Sequence, residues 1–182
     1  MTYIGLYEWT METGVPAYRG LYRGNSVIRL PQSRATEAFF RVARDGSSAA
    51  YTEENFLLLK EVYAAAKPRY PRTDLLLFSD AADFPEPGSE WEKLGFDICA
   101  DSRYHSPLGG GLRDALLSAA AAAGLLSASA PELRLNGAGL FSSREDALTF
   151  TGLCVELQRS GAYEIESETN WRPWCVWRYA GE

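Results

Sequence analysis

Alternating apolar and polar residues near the start of the chain predict β-strands. Residues 3–9 alternate, and their aromatic and β-branched side chains favour an extended strand. Gly14 and Pro16 then predict a turn. Residues 17–30 carry a second strand, broken at one of its glycines, so the chain is expected to open with a hairpin.

A similar pattern at the other end predicts two more strands. Residues 163–168 alternate sharply, and residues 171–179 form an aromatic strand interrupted by Pro173. We expect these two segments to pair as a hairpin. In between, the continuous apolar run 75–78 is typical of a central strand covered on both faces, and residues 95–100 predict another short strand.

Helical spacing and helix-end signals mark the rest of the chain. Thr52 followed by acidic residues predicts a helix start, and Pro68 ends that helix. Ser142 with Glu145 matches a capping box, and the helix that it opens ends at Gly161. Two further helices are expected, a short one over residues 35–43 and an alanine-rich one that ends at Gly124, after a glycine-rich connector at residues 109–111.

Strands at both ends with helices between them predict the fold class. We expect an α+β protein with a single mixed or mostly antiparallel sheet, helices packed on it, and the two terminal strands paired with each other. No internal repeat, linker or change in composition divides the sequence, so residues 1–182 are expected to form a single domain.

The charge of the chain is acidic and unevenly distributed. A formal net charge of −6 argues against nucleic-acid binding, which depends on basic side chains. Residues 18–44 contain six arginines and one glutamate, whereas residues 79–104 contain seven acids and two basic residues. The two blocks either face each other in the fold or leave an acidic surface for a basic protein partner.

Cysteine usage and hydropathy favour a cytoplasmic protein. Cys99, Cys154 and Cys175 are widely spaced among apolar neighbours, which indicates buried free thiols in a reducing compartment. No zinc site is expected, because the sequence has one histidine and no CxxC pair, and no cofactor is predicted. No apolar run reaches the roughly 18 residues of a membrane span. Residues 1–9 lack the basic and continuous apolar regions of a secretory signal, so we expect no export.

Three surfaces are candidates for partner binding. They are the acidic segment 80–101, the connector 102–111 and the row of glutamates in 164–168. The candidate partner-binding residues are Asp83, Glu86, Asp97, Asp101, Arg103, Tyr104, His105, Glu164, Glu166 and Glu168. Trp171, Trp174 and Trp177 fall at three-residue intervals, so neighbouring indoles should lie on opposite faces of their strand, either in the core or at an interface.

Catalytic patterns are sparse. His105 lies near serine and aspartate in sequence, but a catalytic triad is assembled from distant segments, so a loop or interface histidine is expected. Arg23, the pair Ser142-Ser143 and the glutamates Glu166 and Glu168 resemble the order of motifs in one class of ADP-ribosyltransferases. That resemblance implies an alternative enzymatic function, in which Arg23 and the glutamates would act on NAD.

A second resemblance covers under a third of the chain. Residues 94–101 (LGFDICAD), 106–108 (SPL), 135–141 (LNGAGLF) and 146–150 (DALTF) resemble, in order, a pattern in small bacterial proteins, some of them similar to immunity proteins of polymorphic toxin systems. The resemblance implies a protein that binds and neutralises a toxin domain. Another protein-binding regulatory role is the remaining alternative.

Overall fold

The computed structural model of the chain describes residues 1–21, 30, 32–43, 48–80, 88–99, 108, 111–126, 133–162 and 171–181. Among these residues, no helix combines the length and the apolar character that crossing a bilayer would require.

The chain opens with the predicted hairpin. Strand β1 (Thr2–Glu12) pairs with β2 (Val15–Gly20), and the two-residue turn between them has positive φ at both Thr13 and Gly14. This backbone suits the twist of an antiparallel hairpin. Pro16 lies inside β2 rather than in the turn, which is tolerated because β2 is at the edge of the described sheet. The predicted extension of this strand towards Leu30 falls mostly outside the described residues.

Four further strands complete one curled antiparallel sheet. They are β3 (Ser48–Ala50), β4 (Thr73–Asp80), β5 (Trp91–Cys99) and β6 (Arg172–Tyr179). The strand order is β2-β1-β4-β6-β5, and β3 also pairs with β1. The α+β prediction with an antiparallel sheet is therefore confirmed.

The predicted pairing of the first and last strands is wrong. Strand β4 lies between β1 and β6 and pairs with both of them. Every residue of β4 except the last is buried, as the continuous apolar run indicated for a central strand. The predicted hairpin partner of β6, residues 163–168, lies outside the described residues.

Four helices follow the predicted pattern, with one shift at an end. They are α1 (Arg34–Val42), α2 (Glu53–Ala66), α3 (Leu112–Ala122) and α4 (Arg144–Ser160). Thr52 caps α2 as predicted, since its Oγ1 accepts from the backbone N–H of Asn55 at 3.1 Å. Helix α4 ends at Gly161 with φ of 70°.

The cap of α4 lies one residue later than the sequence prediction. Ser143, not Ser142, has the extended backbone of an N-cap, and its Oγ accepts from the N–H of Asp146 at 3.0 Å. The same hydroxyl donates to Oδ2 of Asp146 at 2.7 Å. Asp146 thus takes the place that the capping-box pattern assigned to Glu145.

The helices pack against one face of the sheet. All four contribute to one buried cluster together with inward residues of the strands, including Ile4, Leu77 and Trp177. The opposite face carries a second cluster that is rich in aromatic rings, and Trp174 belongs to it. Trp174 and Trp177 therefore lie on opposite faces, as their spacing predicted, and both are buried.

The second face is concave because the sheet curls. Rings of Tyr7, Tyr18 and Phe78 pack there at centroid distances of 5.1 to 5.4 Å, in tilted or edge-on geometry. Tyr18 lies on edge strand β2 and Asp97 on edge strand β5, yet the Tyr18 hydroxyl donates a hydrogen bond to the Asp97 carboxylate. The two edges of the sheet are thus joined across the concave face.

Candidate functional site

An open cleft lies at one end of the concave face. It has a volume of about 720 Å³, within the range of ligand sites in proteins. The end of β1, the start of β2, the start of β5 and the end of β6 form its walls together with the segment 136–138, and Arg72 precedes β4 at its rim. The lining residues are Trp9, Thr10, Met11, Pro16, Arg72, Glu92, Lys93, Leu94, Asn136, Gly137, Ala138 and Arg178.

A buried carboxylate fixes the aromatic wall of the cleft. Asp74 is 6% exposed, and its Oδ2 accepts a hydrogen bond from the indole N–H of Trp9 at 2.9 Å. Its Oδ1 accepts from the ammonium of Lys67 at 2.7 Å. A buried carboxylate needs such partners, because water no longer solvates it. The orientation of Trp9 is therefore set by the interior of the protein.

An ion pair closes the side of the cleft between β5 and β6. Both Nε and Nη2 of Arg178 donate to Oε2 of Glu92, at 3.1 and 2.5 Å. Nη1 of Arg178 lies 3.9 Å from Oδ2 of Asp74. The hydrogen bond to Glu92 raises the pKa of Arg178 above its usual value, and attraction to both carboxylates acts in the same direction. Arg178 is thus held as a cation between one exposed and one buried acid.

The third wall is the segment 135–141, which one side chain holds in place. Nδ2 of Asn136 donates to the carbonyl oxygen of Leu94 at 2.8 Å. Oδ1 of Asn136 accepts from the backbone N–H groups of Ala138 and Leu140 at 2.9 and 3.2 Å. All three bonds are made within the protein, so Asn136 shapes this wall of the cleft.

Two glycines permit the close contact of this segment with the sheet. Gly95 has φ of 144°, and a Cβ there would lie 2.7 Å from the carbonyl oxygen of Phe141. Gly139 has φ of 74°, and a Cβ there would overlap the carbonyl oxygen of Pro16. Side chains are excluded at both positions by space as well as by backbone conformation. Segment 135–141 therefore bridges the two edge strands, bonding to β5 through Phe96 and Phe141 and contacting β2.

These contacts bring together two segments that are distant in the sequence. Residues 94–99 and 135–141 lie against each other, although about forty residues separate Leu94 and Asn136 in sequence. Gly95, Asn136 and Gly139 have packing roles there. Leu94, Asn136, Gly137 and Ala138 also line the cleft, so these two segments contribute one wall of it.

The structure describes one of the predicted partner-binding residues, Asp97. Asp97 is completely buried and accepts from Tyr18 and from the N–H of Ile98, so the prediction that it lies on an exposed surface is wrong. A bulge between Lys93 and Gly95 shifts the alternation of β5 and turns Asp97 to the concave face. The others lie outside the described residues: Asp83, Glu86, Asp101, Arg103, Tyr104, His105, Glu164, Glu166 and Glu168.

The residues suggested for chemistry are only partly described. Arg23, Glu166 and Glu168 lie outside the described residues, and Ser143 serves as a helix cap. Burial raises the pKa of the Cys154 thiol to about 12. Cys154 and Cys175 are buried and free, as predicted. Within the described ranges, no three His, Cys, Asp or Glu side chains are placed to hold a metal ion.

Sequence patterns did not identify the cleft. Its hydrogen-bonded pairs join residues far apart in the chain, such as Trp9 with Asp74 and Glu92 with Arg178. Segment 135–141, which forms one wall, was not among the surfaces predicted to bind a partner.

Comparison of the chain with protein-family models, with curated proteins and with solved structures gave no match.

Proposed function

We propose that this protein is an immunity or inhibitor protein that binds and neutralises a bacterial toxin domain. The observation that supports this function is the cleft. Its walls combine a partly exposed tryptophan, a methionine that is 64% exposed and arginine guanidinium groups. Tryptophan, methionine and arginine are enriched in protein–protein interfaces, and tryptophan and arginine dominate their hot spots.

The way in which the cleft is held supports a binding role further. Trp9, Asn136 and Arg178 are each fixed by hydrogen bonds to other parts of the protein. A site that is formed before its partner arrives loses less conformational entropy on association than a flexible one. The sequence resemblance to immunity-type proteins agrees with this proposal, since part of the resembling pattern builds one wall of the cleft.

The proposal keeps the acidic segments as a second contact surface. Asp83, Glu86 and Asp101, with the connector residues Arg103, Tyr104 and His105, would meet basic groups of the toxin domain. The glutamates Glu164, Glu166 and Glu168 would extend that surface. We propose that the complex forms in the cytoplasm, with no cofactor and no nucleic acid.

Co-purification with a toxin domain tests the proposal. The probe is the C-terminal domain of a secreted protein encoded immediately upstream, produced with and without this chain. We expect a stable complex and restored growth of the cells that produce the domain. A toxin domain from an unrelated system serves as the control. Failure of the chain to bind the neighbouring domain or to restore growth would refute the immunity function.

The same preparation distinguishes the enzymatic alternative. An ADP-ribosyltransferase acting through Arg23, Glu166 and Glu168 would consume NAD, and its turnover would disappear in Arg23→Ala and Glu166→Ala variants. We expect no NAD turnover by the unmodified protein. Turnover that both variants abolish would replace the binding proposal with the enzymatic one.

A further inference from the structure

The cleft offers a ligand mostly apolar surface, with exposed cationic side chains at its edge. The indole N–H of Trp9, and the amide oxygen and one amide N–H of Asn136, are already engaged inside the protein. Most of what remains is the apolar surface of Trp9, Met11, Pro16 and Leu94, with Arg72 at the rim. An occupant must therefore bring an apolar group and a partner for a cation.

The charge of the cleft differs in sign from that of the whole protein. Three basic residues and one acid line it, whereas the chain carries a formal net charge of −6. Glu92 is paired with Arg178. The ammonium of Lys93 lies over the rings of Phe96 and Trp177, which belong to the helix-covered cluster.

Arg72 differs from the other cations of the cleft. It is exposed, and no described residue forms an ion pair, a side-chain hydrogen bond or a ring contact with its guanidinium. Lys93 is exposed too, but its ammonium lies over two rings, and Arg178 is ion-paired. The backbone of Arg72 is fixed, because its carbonyl oxygen accepts from the N–H of Trp9 at 2.9 Å. An arginine binds a carboxylate through two parallel hydrogen bonds, which gives both affinity and orientation.

We propose that this cleft binds an extended acidic segment of a protein partner, in which an aspartate or glutamate lies next to a large apolar residue. The carboxylate pairs with Arg72, and the apolar side chain packs between Trp9, Met11 and Pro16. The inference rests on the proposed function where the partner is the toxin domain. It gives that function a specific recognition element that the acidic composition of the chain does not suggest.

Peptide selection against the whole chain tests the cleft without knowledge of the toxin. The probe is a phage-displayed library of random dodecapeptides. We expect the enriched peptides to contain an acidic residue within two positions of an aromatic or aliphatic one. Their affinity should fall at least about tenfold in Arg72→Glu, because a charge-assisted pair becomes a repulsion. Arg72→Lys, which keeps the charge but not the forked geometry, should lose less.

Arg69→Glu is the matched control. Arg69 is exposed in the same connection between α2 and β4, three residues away, and does not line the cleft. It should bind the peptides as the unmodified protein does. Equal binding by Arg72→Glu, enrichment of peptides without acids, absence of any enrichment, or displacement of the peptides by a dodecathymidine strand would each overturn the proposal.

The two proposals fail separately. If the selected peptides need Arg72 but the neighbouring toxin domain is neither bound nor inhibited, the proposed peptide site is supported and the immunity function is refuted. If the toxin domain is bound equally well by Arg72→Glu and no peptide depends on Arg72, the immunity function is supported and the proposed peptide site is refuted.

Discussion

Replacing Asn136 by alanine should destabilise the protein more than its partial exposure suggests. The side chain makes three hydrogen bonds, one to the carbonyl of Leu94 and two from the N–H groups of Ala138 and Leu140. Each contributes about 0.5–1.5 kcal/mol net. Water entering from the cleft can replace some of them, so we expect a loss of about 2–3 kcal/mol in the free energy of unfolding.

Urea unfolding followed by tryptophan fluorescence measures this loss. For a chain of this length, it corresponds to a decrease in Tm of about 5–10 °C. Asn55→Ala is the matched control, because its Nδ2 also donates to a backbone carbonyl, that of Ala50 at 2.8 Å, but in an exposed setting and without the two acceptor bonds. The control should lose about 0.5 kcal/mol. If Asn136→Ala costs no more than Asn55→Ala, the segment 135–141 is held by something other than this amide.

Asn136→Asp separates the donor from the acceptor contribution. The carboxylate keeps the two bonds from Ala138 and Leu140 but faces the carbonyl of Leu94 with an oxygen. Protonation of this carboxylate restores a donor to the carbonyl of Leu94. The folded state should therefore favour the protonated acid, and the pKa of the new aspartate should be higher than in the unfolded chain. The loss in free energy of unfolding, relative to the unmodified protein at the same pH, should then be full at neutral pH and smaller at about pH 4. A pH-independent difference would contradict this geometry.

Three other measurements test different parts of the structure. Tyr18→Phe keeps the ring but removes a donor from the buried carboxylate of Asp97, so urea titration should show a loss of about 1–3 kcal/mol, and an unchanged midpoint would contradict the bond. Burial raises the pKa of Cys154 from 9.0 to about 12, so labelling of this thiol at about pH 8 should require unfolding. Peptide mass spectrometry measures the labelling, and fast labelling of the native protein would contradict that burial. Asp101→Lys should slow association with the partner and flatten its salt dependence between about 50 and 500 mM salt, and unchanged stopped-flow kinetics would remove Asp101 from the interface.

Local sequence signals predicted the elements of this fold well. Thr52 and Gly161 act at the ends of their own helices, so a few neighbouring residues are enough to identify them. The buried run of β4 also reads directly from the sequence. Its place between β1 and β6 does not, because strand order depends on contacts between segments about a hundred residues apart.

The error at Asp97 has the same kind of cause. An acid in an alternating strand is ordinarily expected on the exposed face, but the bulge between Lys93 and Gly95 turns Asp97 to the concave face, where aromatic rings and Tyr18 bury it. The bulge is stabilised by contacts with segment 135–141, including the bond from Asn136 to Leu94. The alternation of residues within β5 does not by itself predict this bulge. Most of the predicted acidic surface lies outside the described residues and stays a prediction.

The acidic surface and the cleft would contribute to different steps of binding. A net charge of −6 acts over a Debye length and would guide a basic partner towards the protein, which would change the association rate. The pairing of a carboxylate with Arg72 occurs only after contact, so it should change the dissociation rate. A partner that satisfies both must be basic overall and present an acidic segment locally. Asp101→Lys should therefore lower the association rate with little effect on the dissociation rate. Arg72→Glu should raise the dissociation rate with little effect on the association rate. If both variants change only the association rate, the cleft contributes to the long-range field and does not hold a bound segment.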